Sequence, residues 1–433
     1  MITLLAMLAV AAVLVTFVVD ARRGLFAFLA AVLLAPYLTL GTLVLRVEHV
    51  LVPGLLLLLL VKARRGALVL GGAVWAYLAW WGWLLVATLL PSPGAGTAEL
   101  SWVNLYTLLR PLGVVILFSS TVLREEDVYR LTRWFVLSAI PLGALALLQL
   151  TGNDLATNLT VAAYTSPGRT PVADLLAKLG VIVRAVSVFE SPTYAGSYFL
   201  LAAACGGRLL LAPPAGEPGR RTPLLAATIV AVLGGVATLS ATFLAGSILV
   251  GFLLLVVARG RARLGLLVAG GALLLVLAAL IVHTFSGPDV ASGTLAYELE
   301  RVRTFAVFSS RYSGSGGITI DAMGAIGERP LVGWGLSTPT GLFIGDSLYI
   351  LLGYCGGLIG CLLFFGMIAL AAQRGLSRPG VASIFLLWIV VLLASGFGSP
   401  SMFIPRLQDW WWAMVGLMGS PPLVSRAPPA ERA

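Results

Sequence analysis

The side chains of this sequence that could do chemistry are few, because only 11% of its 433 residues are charged. Arg184 lies in "GVIVRAVSVFE", Arg311 in "FSSRYSGSGG", and Asp346 stands before the apolar run "SLYILLGYCGG". A guanidinium group binds phosphate oxygens through two parallel N–H groups and keeps its charge. Arginines at the outer end of a helical bundle would therefore suit a pyrophosphate at a membrane surface. Asp346 stands at the mouth of a predicted helix, where an acceptor carried by the membrane would arrive.

Each of these three residues also has a structural interpretation. A charge within an apolar stretch costs about 2.5 to 3.5 kcal/mol at a helix centre and less near the interface. Arg184 therefore needs an anionic partner, which is either Glu190 or a ligand. Arg311 could pair with Glu298 or Glu300, which precede it in the same segment. The aspartate could serve only as the N-cap of its helix, because its side chain accepts from free backbone N–H groups.

A second set of residues, also expected on the outward side, consists of candidates for substrate binding. They are Arg110, Arg303, Glu190, Tyr194 and Tyr349. Further outward cations are Arg46, Arg169, Lys178, Arg301, Arg329 and Arg406. The structural alternative for any one of these arginines is an anchor that touches lipid headgroups.

The sequence predicts neither a metal site nor a cofactor. His49 and His283 are isolated, and the three cysteines (Cys205, Cys355 and Cys361) lie in apolar runs, where they behave as small buried hydrophobic residues. Phosphate-loop, HExxH, CxxC and GxSxG motifs are absent. The net charge of +10 lies largely in short clusters between apolar runs, which argues against nucleic acid as the partner.

The elements that must position these residues are membrane helices. Hydrophobic residues make up 59% of the chain and charged residues only 11%. Soluble domains carry about 25% charged residues, so this chain lacks the polar surface of a soluble domain. Runs such as 4–19 and 264–282 approach the roughly 20 residues that span a bilayer. We therefore predict an all-α polytopic membrane protein, with residues 1–433 forming a single integral membrane domain.

About 13 transmembrane helices (12 to 14) are predicted. Their spans are 2–19, 25–43, 47–61, 66–90, 104–123, 134–150, 191–210, 223–238, 241–258, 264–284, 347–370, 380–397 and 409–424. Residues 223–258 must hold two short helices around "TLSAT". Basic clusters between the runs place the N-terminus outside and the C-terminus in the cytoplasm. The runs are expected to be mostly free of internal charge and of Gly or Pro breaks.

Two outward segments are longer than the rest. The first long extracytoplasmic loop covers 151–190, and the large one covers 285–346. The second contains "LAYELERVRTFAVF", where apolar residues at helical spacing predict short amphipathic helices on the outer face. Long loops between membrane helices tend to carry function. No internal repeat of the kind found in many transporters is present.

The chain resembles the O-antigen ligase and O-antigen polymerase superfamily. The resemblance rests on a Pro–apolar–apolar–Gly–x–Gly turn, a polar residue that opens a Tyr-containing helix, and a Gly–apolar–apolar–Gly end. These elements are Pro330, Gly333, Gly335, Asp346, Tyr349, Gly357 and Gly360. "VRAVSVFESPTYAGSYFLL" is similar to the other motif of the superfamily, through Arg184, Phe189 and Pro192. Ligases usually carry a histidine at the position of Asp346, and "GDSLY" looks more like the polymerases.

The resemblance implies a membrane glycosyltransferase fold of the C type with a large extracytoplasmic loop. It implies transfer of a glycan from an undecaprenyl-pyrophosphate-linked donor to a sugar hydroxyl at the outer leaflet, without metal. Arg184 and Arg311 would hold the pyrophosphate and stabilise the leaving group. Asp346 would position the acceptor hydroxyl more than deprotonate it, since an aspartate of ordinary pKa near 4 is a weak base.

Several alternatives stay open. A polymerase is favoured over a ligase that transfers the glycan to lipid A-core. A second possible function is a transporter or flippase of lipid-linked saccharides. A third is a non-enzymatic scaffold of cell-wall synthesis. Expected partners are the lipid-linked oligosaccharide, membrane lipids, and chain-length regulator and flippase proteins. The expected location is the bacterial inner membrane, with the active site on the periplasmic side.

Overall fold

The protein is helical throughout nearly all of its described part. The structure, a computed structural model, describes residues 2–40, 43–63, 70–90, 102–121, 125–151, 153–164, 185–211, 221–257, 318–336, 347–404 and 406–420. Within them, five helices are long and apolar enough to cross a membrane by length and composition. They are Ile2–Val19, Gly72–Leu89, Glu125–Leu150, Pro192–Leu211 and Leu348–Leu376. This is the composition of an α-helical membrane protein.

The elements follow each other in a simple order. The first half contains α1 (Ile2–Val19), α2 (Ala21–Leu34), β1 (Leu38–Leu40), β2 (Leu43–Leu45), α3 (Val47–Ala63), α4 (Gly72–Leu89), α5 (Trp102–Ser120), α6 (Glu125–Leu137), α7 (Ala139–Leu150) and α8 (Asp154–Tyr164). The second half contains α9 (Pro192–Leu211), α10 (Arg221–Ala237), α11 (Ala241–Val257), α12 (Ile318–Glu328), α13 (Leu348–Leu376), α14 (Ala382–Gly396), a 3₁₀ turn (Ser401–Phe403) and α15 (Leu407–Gly419).

The predicted span 25–43 is wrong in its second half. Helix α2 ends at Leu34, and a two-stranded antiparallel hairpin pairs Leu38 with Leu45. Ala35 precedes Pro36 and is extended, with φ −71° and ψ 141°. A proline ring excludes helical backbone from the residue before it, so the apolar run cannot continue as a helix.

Other predicted boundaries agree more closely with the structure. The two short helices expected around "TLSAT" are α10 and α11, which end and begin on either side of residues 238–240. The predicted span 134–150 lies within the longer helical run from Glu125 to Leu150 that α6 and α7 form together. The loop 151–190 contains α8, and α12 is the described helix of the loop 285–346. The predicted span 264–284 lies outside the described residues.

The described basic clusters collect at one end of the bundle. Lys62 at the end of α3 donates to the carbonyls of Phe17 and Val18, and Arg22 at the start of α2 pairs with Asp127 of α6 at 2.7 Å. At the same end Arg208 donates to Ser383 at 2.8 Å, while Arg374 and Arg378 donate to carbonyls at the end of α15. We call this the basic end and the other the opposite end. The opposite end receives the starts of α3, α9, α13 and α15, which run toward the basic end.

An aromatic cluster packs α4, α13 and α15 together between the two ends. Tyr77 meets Trp412 edge-on with ring centroids 4.9 Å apart, and Trp80 meets Phe364 at 5.3 Å. Edge-to-face pairs of this kind add about 0.5–1.5 kcal/mol beyond the area they bury. The cluster therefore fixes the start of α15, which carries Asp409, against α4 and α5.

Candidate functional site

A chain of four alternating charges is buried near the opposite end. Arg46 contacts Glu48 at 3.2 Å, Glu48 contacts Arg110 of α5 at 3.3 Å, and the Nε of Arg110 lies 3.6 Å from Asp409 of α15. The side chains of Arg110 and Asp409 are 0% exposed, and that of Glu48 is 1% exposed. We call Arg46, Glu48, Arg110 and Asp409 the ion-pair chain. Its charges cancel, as buried charges must in an apolar surrounding.

Arg110 is an exception to the expectation that the runs are mostly free of internal charge. Arg110 lies inside α5, and Glu48 and Asp409 lie in the first turns of α3 and α15. The headgroup-anchor interpretation also fails for Arg110 and Arg406, since each is only 3% exposed. Both guanidinium groups contact carboxylates or carbonyls of the protein.

Arg406 closes the end of α2. Its Nη1 group donates to the carbonyls of Val32, Leu33 and Ala35 at 3.3, 3.1 and 2.9 Å. Its guanidinium lies over the rings of Tyr37 and Tyr164, at 5.1 and 4.7 Å from their centroids. The last carbonyls of a helix lack intrahelical partners and carry partial negative charge, so this buried cation satisfies them.

Tyr37 links this region to the segment before α9. Its hydroxyl donates to the carboxylate of Glu190 at 2.8 Å. Burial raises the pKa of the Tyr37 phenol to about 12, so the hydroxyl keeps its proton and remains the donor. Burial alone would lower the pKa of Arg46, but Glu48, Tyr37 and Glu190 outweigh it and raise the value. Arg46, Tyr37, Glu190 and Arg406 are therefore electrostatic neighbours at the opposite end.

A buried amide makes four hydrogen bonds around the irregular segment that follows Arg184. The Oε1 atom of Gln149 accepts from the N–H groups of Val186 and Ser187 at 3.0 and 2.8 Å. Its Nε2 atom donates to the carbonyl of Ser187 at 3.2 Å and to the hydroxyl of Thr160 at 2.7 Å. Ser187 has a φ of 52°, which is uncommon outside glycine. Gln149 thus replaces the helical hydrogen bonds that this segment lacks.

We predict that Gln149→Leu lowers the free energy of unfolding by about 3 kcal/mol, because it leaves the buried N–H groups of Val186 and Ser187 without the amide oxygen that accepts from them. The measurement is denaturant unfolding of the purified protein in mixed micelles. Gln373→Leu on the exposed surface of α13 is the matched control and should stay within about 0.5 kcal/mol of the original protein. Equal losses in both variants would contradict the assignment of Gln149 to this segment.

The Pro–Gly turn docks into a break in α13. Gly357 has φ 58° and ψ −161°, so α13 is two helices joined at this residue. The N–H groups of Trp334 and Gly335 donate to the carbonyls of Tyr354 and Cys355, both at 2.8 Å. In return, the N–H groups of residues 358 and 359 donate to the carbonyls of residues 330 and 331 at 2.8 and 3.1 Å. We call this contact between residues 330–335 and 354–359 the clasp.

The clasp explains how a broken helix can lie within a membrane protein. Backbone polar groups freed by a break must find partners within the protein, because lipid offers none. Here the turn supplies them, and Trp83 of α4 donates to the carbonyl of Gly356 at 3.0 Å. Trp334 is itself held by a 2.7 Å bond to the carbonyl of Ala325 in α12. The predicted span 347–370 therefore corresponds to the first part of α13 and contains the break at Gly357.

The described part of the chain contains half of the predicted site residues. Asp346, Arg311, Arg184 and Arg303 lie outside it. Arg110 belongs to the ion-pair chain, and Glu190 accepts from Tyr37. Tyr194 is partly buried in the first turn of α9. The hydroxyl of Tyr349 donates to the carbonyl of Leu393 in α14 at 2.8 Å, and its ring packs on Phe397.

Sequence reasoning missed Glu48, Asp409, Tyr37 and Gln149. The available signal was the charge itself, since a carboxylate in the first turn of an apolar helix requires a partner.

Across the described ranges, no group of three His, Cys, Asp or Glu side chains could hold a metal ion. Arg46, Arg110 and Arg406 lie among Glu48, Asp409 and Glu190, and these six charges sum to zero.

Comparison of the chain with protein-family models, with curated proteins and with solved structures found no match. Identification with any family thus rests on the residues themselves.

Proposed function

We propose that this protein is a bacterial membrane glycosyltransferase of the O-antigen polymerase type. It transfers a glycan from an undecaprenyl-pyrophosphate-linked donor to a sugar hydroxyl of an acceptor glycan at the outer leaflet. The proposal includes about 13 membrane spans in a C-type glycosyltransferase fold, in the inner membrane, with the active site on the periplasmic side. Transfer to lipid A-core, as in a ligase, is the related alternative.

One observation carries the proposal: the described neighbours of two candidate catalytic positions belong to the same end of the bundle. Ala185, which follows Arg184, donates to the carbonyl of Ala237 at the end of α10. Ser347, which follows Asp346, donates to the carbonyl of Gly396 at the end of α14 at 3.3 Å. Both helix ends lie at the opposite end, away from the basic clusters that mark the cytoplasmic side under the positive-inside rule.

In this mechanism the chain supplies electrostatic stabilisation and positioning. Arg184 and Arg311 bind the donor pyrophosphate through paired N–H groups and stabilise the negative charge that grows on it as the glycosidic bond breaks. Asp346 accepts a hydrogen bond from the acceptor hydroxyl and orients its oxygen toward the sugar carbon. Arg46, Arg110 and Arg406 are neutralised by carboxylates or occupied by carbonyls, so the proposal leaves the pyrophosphate to Arg184 and Arg311.

The test is an elongation assay with purified protein in liposomes and lipid-linked repeat units as the sole substrate. A ladder of products supports a polymerase, and product that appears only after lipid A-core is added indicates a ligase. Arg184→Ala and Arg311→Ala should each abolish the ladder, whereas Arg23→Ala, whose side chain is 81% exposed at the basic end, should not. Normal polymer length in both arginine variants would end the proposal.

A second candidate, transport of a lipid-linked saccharide, is favoured by the break in α13 at Gly357. Transporters commonly place broken helices and buried charges at their substrate sites. Translocation of a fluorescent lipid-linked saccharide in proteoliposomes, without any lengthening of the glycan, would support this function over glycosyl transfer.

A further inference from the structure

An apolar groove of about 430 Å³ lies between α1 and α3, in their halves nearest the basic end. It is lined by Leu14, Val15, Val18 and Val19 of α1 and by Gly54 and Leu57 of α3. Val15, Val18, Val19 and Leu57 are each more than half exposed, which places the groove on the outer surface of the bundle. In a membrane this surface faces lipid chains.

Gly54 marks a close approach of α1 and α3 beside the groove. A Cβ atom there would lie 3.2 Å from the Cδ2 atom of Leu14, so the two helices approach closely at this level. The preceding residue, Pro53, lies inside α3, where proline removes a backbone hydrogen bond and bends a helix.

A fixed cation is bonded to one of the residues that line this groove. The ammonium group of Lys62 donates to the carbonyls of Phe17 and Val18 at 2.7 and 2.9 Å. It also lies 5.3 Å from the centroid of the Phe17 ring. Val18 therefore lines the groove and holds the cation through its carbonyl. An ammonium has three N–H groups, so one remains for a further acceptor.

The charges around Lys62 favour an anionic ligand. Arg22 pairs with Asp127 at 2.7 Å, and Arg23 pairs with Asp20 at 3.4 Å. Among the residues that the structure describes, Lys62 has no carboxylate partner and is held by two backbone carbonyls, so its charge is the one of these three that no carboxylate balances. Because the groove is apolar and this cation is bonded to one of its lining residues, the complementary molecule has an apolar chain joined to an anionic headgroup.

We propose that the groove binds one acyl chain of an anionic glycerophospholipid from the leaflet at the basic end, with Lys62 on the lipid phosphate. This inference is independent of the proposed glycosyl transfer, whose donor headgroup lies at the opposite end. Basic residues beside a membrane helix recognise anionic lipids at about 1 kcal/mol each, which corresponds to about fivefold in affinity. The lipid would fill the groove and join α1 to α3.

The test is native mass spectrometry of the purified full chain with added dioleoyl phosphatidylglycerol or dioleoyl phosphatidylcholine. The original protein should bind the first about fivefold more tightly than the second. Lys62→Gln should remove this preference, and Lys62→Arg should retain it. Equal affinity for the two lipids in the original protein would overturn the proposal.

A pair of tryptophan variants tests the groove itself. Val15→Trp fills it from a side chain that is 64% exposed and should lower the tight binding of either lipid. Leu8→Trp is the control on the same helix, 56% exposed and outside the groove, and should bind as the original protein does. Unchanged binding in Val15→Trp would refute the site. Displacement of phosphatidylglycerol by undecaprenyl phosphate at equal concentration would refute the glycerophospholipid assignment. Tryptophan-fluorescence melting confirms that each variant is folded.

Discussion

Gly357→Ala is expected to lower the free energy of unfolding by more than about 4 kcal/mol, an effect larger than most single substitutions produce. At Gly357 the backbone has a φ of 58°, where a Cβ atom is strained. A Cβ built there would also lie 2.5 Å from the carbonyl carbon and oxygen of Leu331. Both atoms belong to the turn that supplies the hydrogen bonds of the clasp, so the substitution opposes the docking directly.

The matched control for this substitution lies nine residues farther along the same helix. A Cβ added at Gly366 meets no atom within 4 Å, and the backbone there is helical. Gly366→Ala should therefore leave stability unchanged or raise it by up to about 1 kcal/mol. Gly333→Ala tests the other side of the clasp, since its Cβ would lie 2.5 Å from the Gly357 nitrogen at a φ of 74°. Unfolding in mixed micelles measures all three, and a stable Gly357→Ala protein would show that α13 is not broken here.

The clasp could not be predicted from the sequence because its two halves are distant. Residues 330–335 carry a recognisable turn pattern, but "GYCGGLIGC" reads locally as a continuous apolar helix. Pairs of glycines are common in membrane helices and do not by themselves break them. The break is stable only because the turn offers two carbonyls and two N–H groups at the right places, which is a tertiary property.

Hydrophobic runs predicted which segments are helical better than they predicted where the helices end. The basic clusters and the two short helices around "TLSAT" follow from runs and charges that are local in sequence, and the structure agrees with both. The hairpin at residues 38–45 was missed because β-branched and leucine residues suit a membrane helix as well as a strand. Only Pro36 indicated the boundary.

The partners of the buried charges were equally hidden. Arg110 and Asp409 are almost 300 residues apart, and nothing in the sequence says which of the outward residues Arg110 would meet. What the sequence does say is that a charge within an apolar run needs compensation. When that rule is applied to Glu48 and Asp409 as well as to the arginines, it favours ion pairs within the protein over an anionic ligand.

The second prediction concerns the ion-pair chain, because removing one member leaves its neighbour without charge compensation. Arg110→Met should lower the free energy of unfolding by about 3–5 kcal/mol, since it leaves Asp409 fully buried without its cation. Asp409→Asn should cost less than half as much, because neither carboxylate oxygen makes a hydrogen bond. Glu48 would still face two arginines in that variant.

The double variant Arg110→Met with Asp409→Asn should then be more stable than Arg110→Met alone. It removes one cation and one anion and keeps the Arg46–Glu48 pair, so no buried charge is left without compensation. The control cycle uses the exposed pair Glu126 and Arg130, which lie 3.8 Å apart and are 54% and 55% exposed. Its coupling should not exceed about 0.5 kcal/mol. If the losses of Arg110→Met and Asp409→Asn simply add, the two side chains do not share charge compensation and the chain of four does not exist.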